Sequence, residues 1–381
     1  MGLLGSISAF VYGQQPKSHE KKKNYTFSDV IGSGSFGSVK KATRNSDGKE
    51  VAIKIIPKKK VENHFDMVKA EISVMENLEH PNVIHLYDSF ESRKSTFLYA
   101  LMKQSVSTCS IPLNRDKFYI VFELATGGEL FDRLFERGKF SEKDATVIVK
   151  SILRGLEYIH QHNVVHRDMK PENLLFRNRD SDADLLICDF GIAKLSNEIS
   201  SLDEICGSPG YVAPEVLLQE GYGAPVDMWA MGVITYTLLC GYLPFQAEDQ
   251  AQLIDEITHA RYDFHERYWR NISLDAKNFI RSLLHLNAKE RLTATQALQH
   301  KWLTGKEATD VDILSSVREN FNARKVLKGA VGAVQAMNRL QKSASVHNEE
   351  ADVKKAATDV FAKLLAKQRS EKQQQQQQQQ Q

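Results

Sequence analysis

The chain has 381 residues, 42% hydrophobic and 26% charged, with a formal net charge of +2. That is enough for two or three compact units of ordinary soluble composition, and so weak a net charge gives no ground for a nucleic-acid partner. No apolar run reaches the length of a membrane-spanning helix, the start lacks a secretory-signal pattern, and Cys109, Cys188, Cys206 and Cys240 show no CxxC spacing, which favours a reduced, cytoplasmic protein and disfavours zinc.

In chain order, residues 1–24 read as a tail with one apolar patch, Leu3 to Val11. Its opening "MGLLGS" matches M-G-x-x-x-[ST], which would expose Gly2 for myristoylation, with Lys17 and Lys21, Lys22 and Lys23 as a second membrane signal; the alternative is an ordinary start. From Tyr25, "NYTFSDVIGSGSFGSVKKAT" and "EVAIKII" are strand-like, and "DMVKAEISVMENL" places Val68, Ile72, Val74, Met75 and Leu78 near helical spacing. Residues 94–115 interrupt two strand-like runs with Phe97, Leu98, Tyr99, Leu101 and Met102, and read either as a docking loop or as a retained intron or gene-model error. Long helical patterns such as "EKDATVIVKSILRGLEYIHQH" and "PVDMWAMGVITYTLLCGYLPF" fill Gly128 to Leu303. Strands first and helices later predict an α+β fold of two lobes, a small β-rich one and a larger helical one. Nine glutamines, 373–381, end the chain as a low-complexity tail.

Within this frame, "IGSGSFGSV" sets Gly32, Gly34 and Gly37 in a GxGxxG pattern. The dinucleotide-binding form leads into a helix, whereas here a strand, an Asp47-Gly48 turn and another strand follow, so the loop reads as a flap over phosphates. Lys54 in "VAIK" lies on that next strand, where Glu71 of the following helix is expected to pair with it and fix its ammonium near the phosphates. In "VVHRDMKPENLL", Asp168 can take a proton from a hydroxyl, Lys170 can neutralise a phosphoryl group in transfer, and Asn173 can ligate Mg²⁺. "CDFG" adds Asp189 as a second Mg²⁺ ligand, and "APE" puts Glu215 within reach of Arg291 as a buried ion pair.

The ordered set resembles the eukaryotic protein kinases over 25–303, and "HRDMKPEN" resembles the Ser/Thr type. "ELATGGELFDRL", "DADLLICDFG" and "CGSPGYVAPEV" are similar to the calcium/calmodulin-dependent kinases, particularly type I and its fungal relatives. The resemblance implies a monomeric enzyme using ATP and Mg²⁺. It implies ATP contacts from Ile31, Gly32, Ser33, Gly34, Ser35, Phe36, Gly37, Ser38, Val39 and Ala52, beside Lys54 and Glu71. It makes Phe122 the gatekeeper, Glu123 and Ala125 the adenine hinge, and Glu129 a contact for ribose and a basic substrate residue. With Glu172 as a second acid, protein substrates with an upstream Arg are expected. Glu204 stands where such kinases often carry an activating phosphothreonine and reads either as a partial partner of Arg167 or as an ordinary loop acid, with Ser200 and Ser201 as other candidate phosphosites. A scaffold that binds partners without catalysis is the reading from another class.

Behind the kinase region, 304–342 reads as an autoinhibitory, calmodulin-binding segment and 343–381 as a disordered tail. Ile313, Leu314, Val317 and Phe321 form an apolar face for docking on a lobe. No Asp or Glu follows from Asn320 to Asn348, while Arg324, Lys325, Lys328, Arg339 and Lys342 are basic. Leu327, Val331, Val334 and Leu340, with Met337 among them, have a 1-5-8-14 spacing whose outer members lie about 140° apart around a helix. A basic amphipathic helix suits acidic, Met-rich calmodulin or, alternatively, a membrane surface. No aromatic anchor is present, and Gly329 and Gly332 each cost a helix about 1 kcal/mol.

Overall fold

A computed structural model describes residues 17–34, 37–61, 65–92, 117–190, 209–218, 220–221, 223–247 and 249–321. Gly2, Ser35, Phe36, the 94–115 insertion, Ser200, Ser201, Glu204 and the basic residues and anchors of 324–342 lie outside them. The chain divides into a unit ending at Leu314 and a unit from Ser315, of which helical residues 315–321 are described.

The small lobe is one antiparallel sheet of five strands: β1 (Tyr25–Gly34), β2 (Gly37–Arg44), β3 (Glu50–Pro57), β4 (Leu86–Glu91) and β5 (Lys117–Glu123), in the order β1-β2-β3-β5-β4. Alternation builds it: in β3, Val51, Ile53 and Ile55 face the core, and Ala52 and Lys54 face the other way. Gly48, at φ +72°, closes the β2–β3 turn in the left-handed region that glycine enters without strain. The helix α1 (Phe65–Met75) buries Val68, Ile72 and Met75, whereas Val74 of the expected stripe is exposed and Leu78 is buried just past the helix end.

Residues Lys17–Asn24 are a 3₁₀ segment and part of this lobe, although the sequence reads them as a free tail. Lys21 Nζ pairs with Asp88 at 2.6 Å, Ser18 Oγ accepts from Glu91 N, and Lys22 Nζ sits 5.1 Å from the Tyr119 ring. Two of the lysines expected to serve a membrane are therefore engaged by the sheet.

The helical lobe is organised by α2 (Leu130–Phe135), α3 (Glu142–Gln161), α4 (Pro225–Cys240) and α5 (Leu274–Leu283). Ser141 and Asp144 form a reciprocal capping box that starts α3. Pro225 opens α4, Gly241 at φ +84° ends it, and the helix is buried from Val226 to Cys240. A two-stranded hairpin, β6 (Leu174–Phe176) and β7 (Leu185–Ile187), lies against α3.

The first turn of α3 also holds the chain beyond the last short helix, Lys301–Thr304. The buried Glu142 carboxylate accepts from Ser273 N and Oγ (2.9 and 2.5 Å), Trp302 Nε1 (2.8 Å) and Thr309 Oγ1 (3.1 Å). Ile313 N donates to Phe140 O at 2.8 Å, and Ile313 and Leu314 are buried.

Candidate active site

The loop between α3 and β6 is shaped by a buried acid from another helix. Asp227, in the first turn of α4, accepts from His166 N at 2.8 Å and Arg167 N at 2.9 Å, and its Oδ2 lies 2.9 Å from His160 Nε2. Arg167 sits at φ +66°, a conformation that costs a non-glycine residue roughly 1–3 kcal/mol and persists where surrounding bonds over-determine it. His166 is fully buried, and burial lowers its pKa and keeps the ring neutral. One neutral tautomer satisfies both of its neighbours: Nε2–H donates to Cys188 O at 2.9 Å, and Nδ1 accepts from Asp168 N at 3.3 Å. This ties the loop to the Cys188–Phe190 stretch. Asp227→Ala should leave a buried and a part-buried N–H donor, of His166 and Arg167, without their acceptor, costing on the order of 2–5 kcal/mol. Chemical denaturation measures it, and an unchanged midpoint would mean that the loop is held by other contacts.

On this frame Asp168, Lys170 and Asn173 converge. Lys170 Nζ lies 2.9 Å from Asp168 Oδ2, and Asn173 Nδ2 donates to Asp168 O at 2.6 Å and Oδ2 at 3.2 Å. Burial acts to lower the Lys170 ammonium, but the charges of Asp168 and Glu172 outweigh it and hold the pKa above its ordinary value. Asn173 O accepts from Cys188 N at 2.9 Å, which brings Asp189 alongside. Asp189, at φ +60° and half exposed, pairs with Lys54 of β3.

That last contact corrects an expectation. Lys54 pairs with Asp189, while Glu71 lies against Arg167, with 3.6 Å from Oε2 to Nη1. Burial raises the Glu71 carboxyl to a pKa of about 7 from 4.5, with Arg167 and Lys54 opposing. The folded state then holds a proton that the unfolded chain releases between pH 4.5 and 7, so stability declines as pH rises through that window and stays down above it. A shift of this size corresponds to about 3 kcal/mol. Glu71→Gln should raise the thermal midpoint at pH 8 and give no gain at pH 4; equal effects at both would contradict the assignment.

Above this cluster, Gly32 pairs with Val39 and Val39 with Lys54, so Ile31, Gly32, Ser33, Gly34, Gly37, Ser38 and Val39 belong to a β1–β2 hairpin. A strand therefore follows the glycines, as the sequence predicts. A Cβ at Gly37 would collide with the Ile55 carbonyl. Ala52 pairs with the buried Phe122, one residue before Glu123, the last of β5. The Glu123 carboxylate is taken by Arg177, and Ala125 is half-buried. Glu129, which bridges to Leu175 at the start of α2, and Glu172 are exposed. Glu215 meets Arg291 at 2.7 and 3.0 Å, as expected.

The donor set suits a hard cation that shares phosphate oxygens. Asn173 spends its amide nitrogen on Asp168, which leaves its oxygen as the ligating end, and Asp189 adds a carboxylate. One carboxylate and one amide oxygen leave most of an octahedral Mg²⁺ shell to phosphate oxygens and water, so the donors fit Mg²⁺ held together with ATP.

Asp227 and His166 are not among the residues that the sequence motifs point to. Asp227 had a signal, as the lone acid in the apolar run "PVDMWAMGVITYTLLC".

Residues 25–303 match the model of the protein kinase domain. The chain is 45% identical to the calcium/calmodulin-dependent protein kinase cmkA of Emericella nidulans over 91% of its own length and 78% of the relative's. It is 41% identical to the calcium/calmodulin-dependent protein kinase type I of Schizosaccharomyces pombe, over 85% and 91%. It is 40% identical to the type 1B enzyme of Rattus norvegicus, over 86% and 90%. With its catalytic loop, its Lys54–Asp189 pair and these relatives together, the chain belongs to the protein kinases and, among them, to the calcium/calmodulin-dependent family.

Proposed function

We propose that the chain transfers the γ-phosphoryl group of ATP, with Mg²⁺, to Ser or Thr hydroxyls of proteins, and that calcium/calmodulin releases it from autoinhibition. The observation that carries this is the convergence of Asp168, Lys170 and Asn173 beside the Lys54–Asp189 pair. Asp168 orients the substrate hydroxyl and takes its proton. Lys170, held charged next to it, offsets charge on the group in transfer. Lys54 serves the phosphates, and Asn173 and Asp189 hold the metal. Bound Mg²⁺ supplies charge neutralisation for the phosphates. The exposed Ile31 roof and the Glu123–Ala125 segment take the base. Catalysis of this kind rests on positioning and charge more than on covalent chemistry, and the site offers both.

The exposed carboxylates Glu129 and Glu172 support a preference for Arg upstream of the target. The relatives' names support calmodulin as the regulator, acting on 324–340. A lipid on Gly2 would have Lys23 as its freer helper, since Lys21 and Lys22 contact the sheet. The test is phosphorylation of an Arg-x-x-Ser peptide by the full chain. Transfer that rises about tenfold or more with Ca²⁺/calmodulin over chelator is expected, equivalent to 1.4 kcal/mol of barrier. No transfer in either condition would favour a non-catalytic scaffold, and equal transfer in both would remove calmodulin control.

A further inference from the structure

We infer that Arg177 is a positioning residue for the nucleotide, a pin that fixes the end of β5 against the hairpin carrying the metal-binding residues. The inference rests on the kinase reading above. Arg177 directly follows β6, at the closed end of the β6–β7 hairpin. Its guanidinium reaches three elements. Nη1 pairs with Glu123 at the end of β5, and Nη2 donates to Pro81 O, between α1 and β4, at 2.9 Å. Nε lies 3.5 Å from Asp184 Oδ2 across the same closed end.

The other end of the same hairpin carries the chemistry. Asn173 immediately precedes Leu174, Asp189 stands two residues past Ile187, and Leu174 pairs with Ile187. The hairpin is therefore a short rigid strut, with the metal ligands at one end and the hold on Glu123 at the other. Main-chain bonds join it to the next segment as well, from Thr126 N to Arg177 O at 3.0 Å and from Gly127 N to Phe176 O at 2.9 Å. Those bonds survive a side-chain substitution, so the direct grip on Glu123 is the part that a variant removes. Behind Glu123 the surface opens into a cleft of about 330 Å³ whose wall includes His80, His85 and Tyr87. The Glu123 main chain is held by its pairing with Val51 and by its N–H to His85 O at 2.9 Å, so what the ion pair adds is the placing of the carboxylate, which has this cleft and no packed core on its other side. The Glu123 side chain is 12% exposed, which limits screening of the pair.

The test uses the full chain with saturating Ca²⁺/calmodulin. Arg177→Met should weaken ADP affinity by titration, and raise KM for ATP, by about tenfold, the scale of one partly shielded charge-assisted hydrogen bond, while kcat and KM for the peptide move by less than about twofold. Arg177→Lys should fall between, and Arg177→Glu combined with Glu123→Arg should recover most of the lost ADP affinity. Unchanged ADP affinity in Arg177→Met would overturn the pin. So would parallel losses in peptide KM, kcat and thermal midpoint, because these mark general loosening. If the unaltered chain neither binds ADP nor phosphorylates peptide, it is the kinase reading that fails.

Discussion

Asp189→Asn should reduce peptide phosphorylation by roughly 10²–10³-fold or more, with the thermal midpoint close to that of the unaltered chain. Asn is nearly isosteric with Asp and tolerates the left-handed backbone that residue 189 adopts at φ +60°. The Asp189 side chain is half exposed, so folding has little invested in its charge. The reaction depends on that charge, because a neutral amide is a poorer Mg²⁺ ligand and does less to balance phosphate charge. Lys54→Met removes the other member of the pair and should cost activity on a similar scale. Both variants must be purified in folded form and assayed with saturating Ca²⁺/calmodulin. Substantial turnover by either would overturn the roles given to Lys54 and Asp189.

Much of this site is legible in the sequence because its parts are local. Asp168, Lys170 and Asn173 lie within six residues, so one loop brings them together. The β1–β2 hairpin was readable because the alternation resumes after Gly37 and Asp47-Gly48 closes the next turn. What the sequence hides is the partner chosen at long range. Whether Glu71 meets Lys54 depends on where α1 sits over the sheet, and in this state Asp189 takes the lysine and Arg167 faces the glutamate.

Other residues are hidden for the same reason. Arg177 stands in the polar stretch "FRNRDSDAD", where an arginine reads as a solvated turn residue, and its partners Pro81 and Glu123 come from the other lobe. Glu142 has the look of an ordinary first-turn acid that complements a helix dipole. Instead it is fully buried and accepts from Ser273, Trp302 and Thr309, all more than 130 residues further along the chain.

Glu142 also decides where the proposed regulatory segment is best cut away. The order of features, a complete kinase domain followed by an apolar face and an acid-free basic stretch, motivates the expectation that residues beyond the domain hold it off. A cut after Lys306 is the obvious truncation, but it takes away Thr309, Asp312, Ile313 and Leu314. Thr309 bonds to Glu142, Asp312 Oδ1 accepts from Phe140 N at 3.1 Å, and Ile313 and Leu314 are buried. Losing two buried aliphatic side chains and these bonds should cost about 3–6 kcal/mol. A chain ending at Phe321 keeps those contacts and loses the basic stretch with Leu327 and Leu340. In excess chelator the 1–321 form should phosphorylate peptide about tenfold or more faster than the full chain, the effect of shifting 1.4 kcal/mol of inhibition. Its denaturation midpoint should match that of the full chain, whereas the 1–306 form should unfold earlier. If the 1–321 form is no faster than the full chain without calcium, the segment beyond Phe321 is not what restrains the enzyme. If the 1–306 form alone is fast, the restraint lies within 307–321.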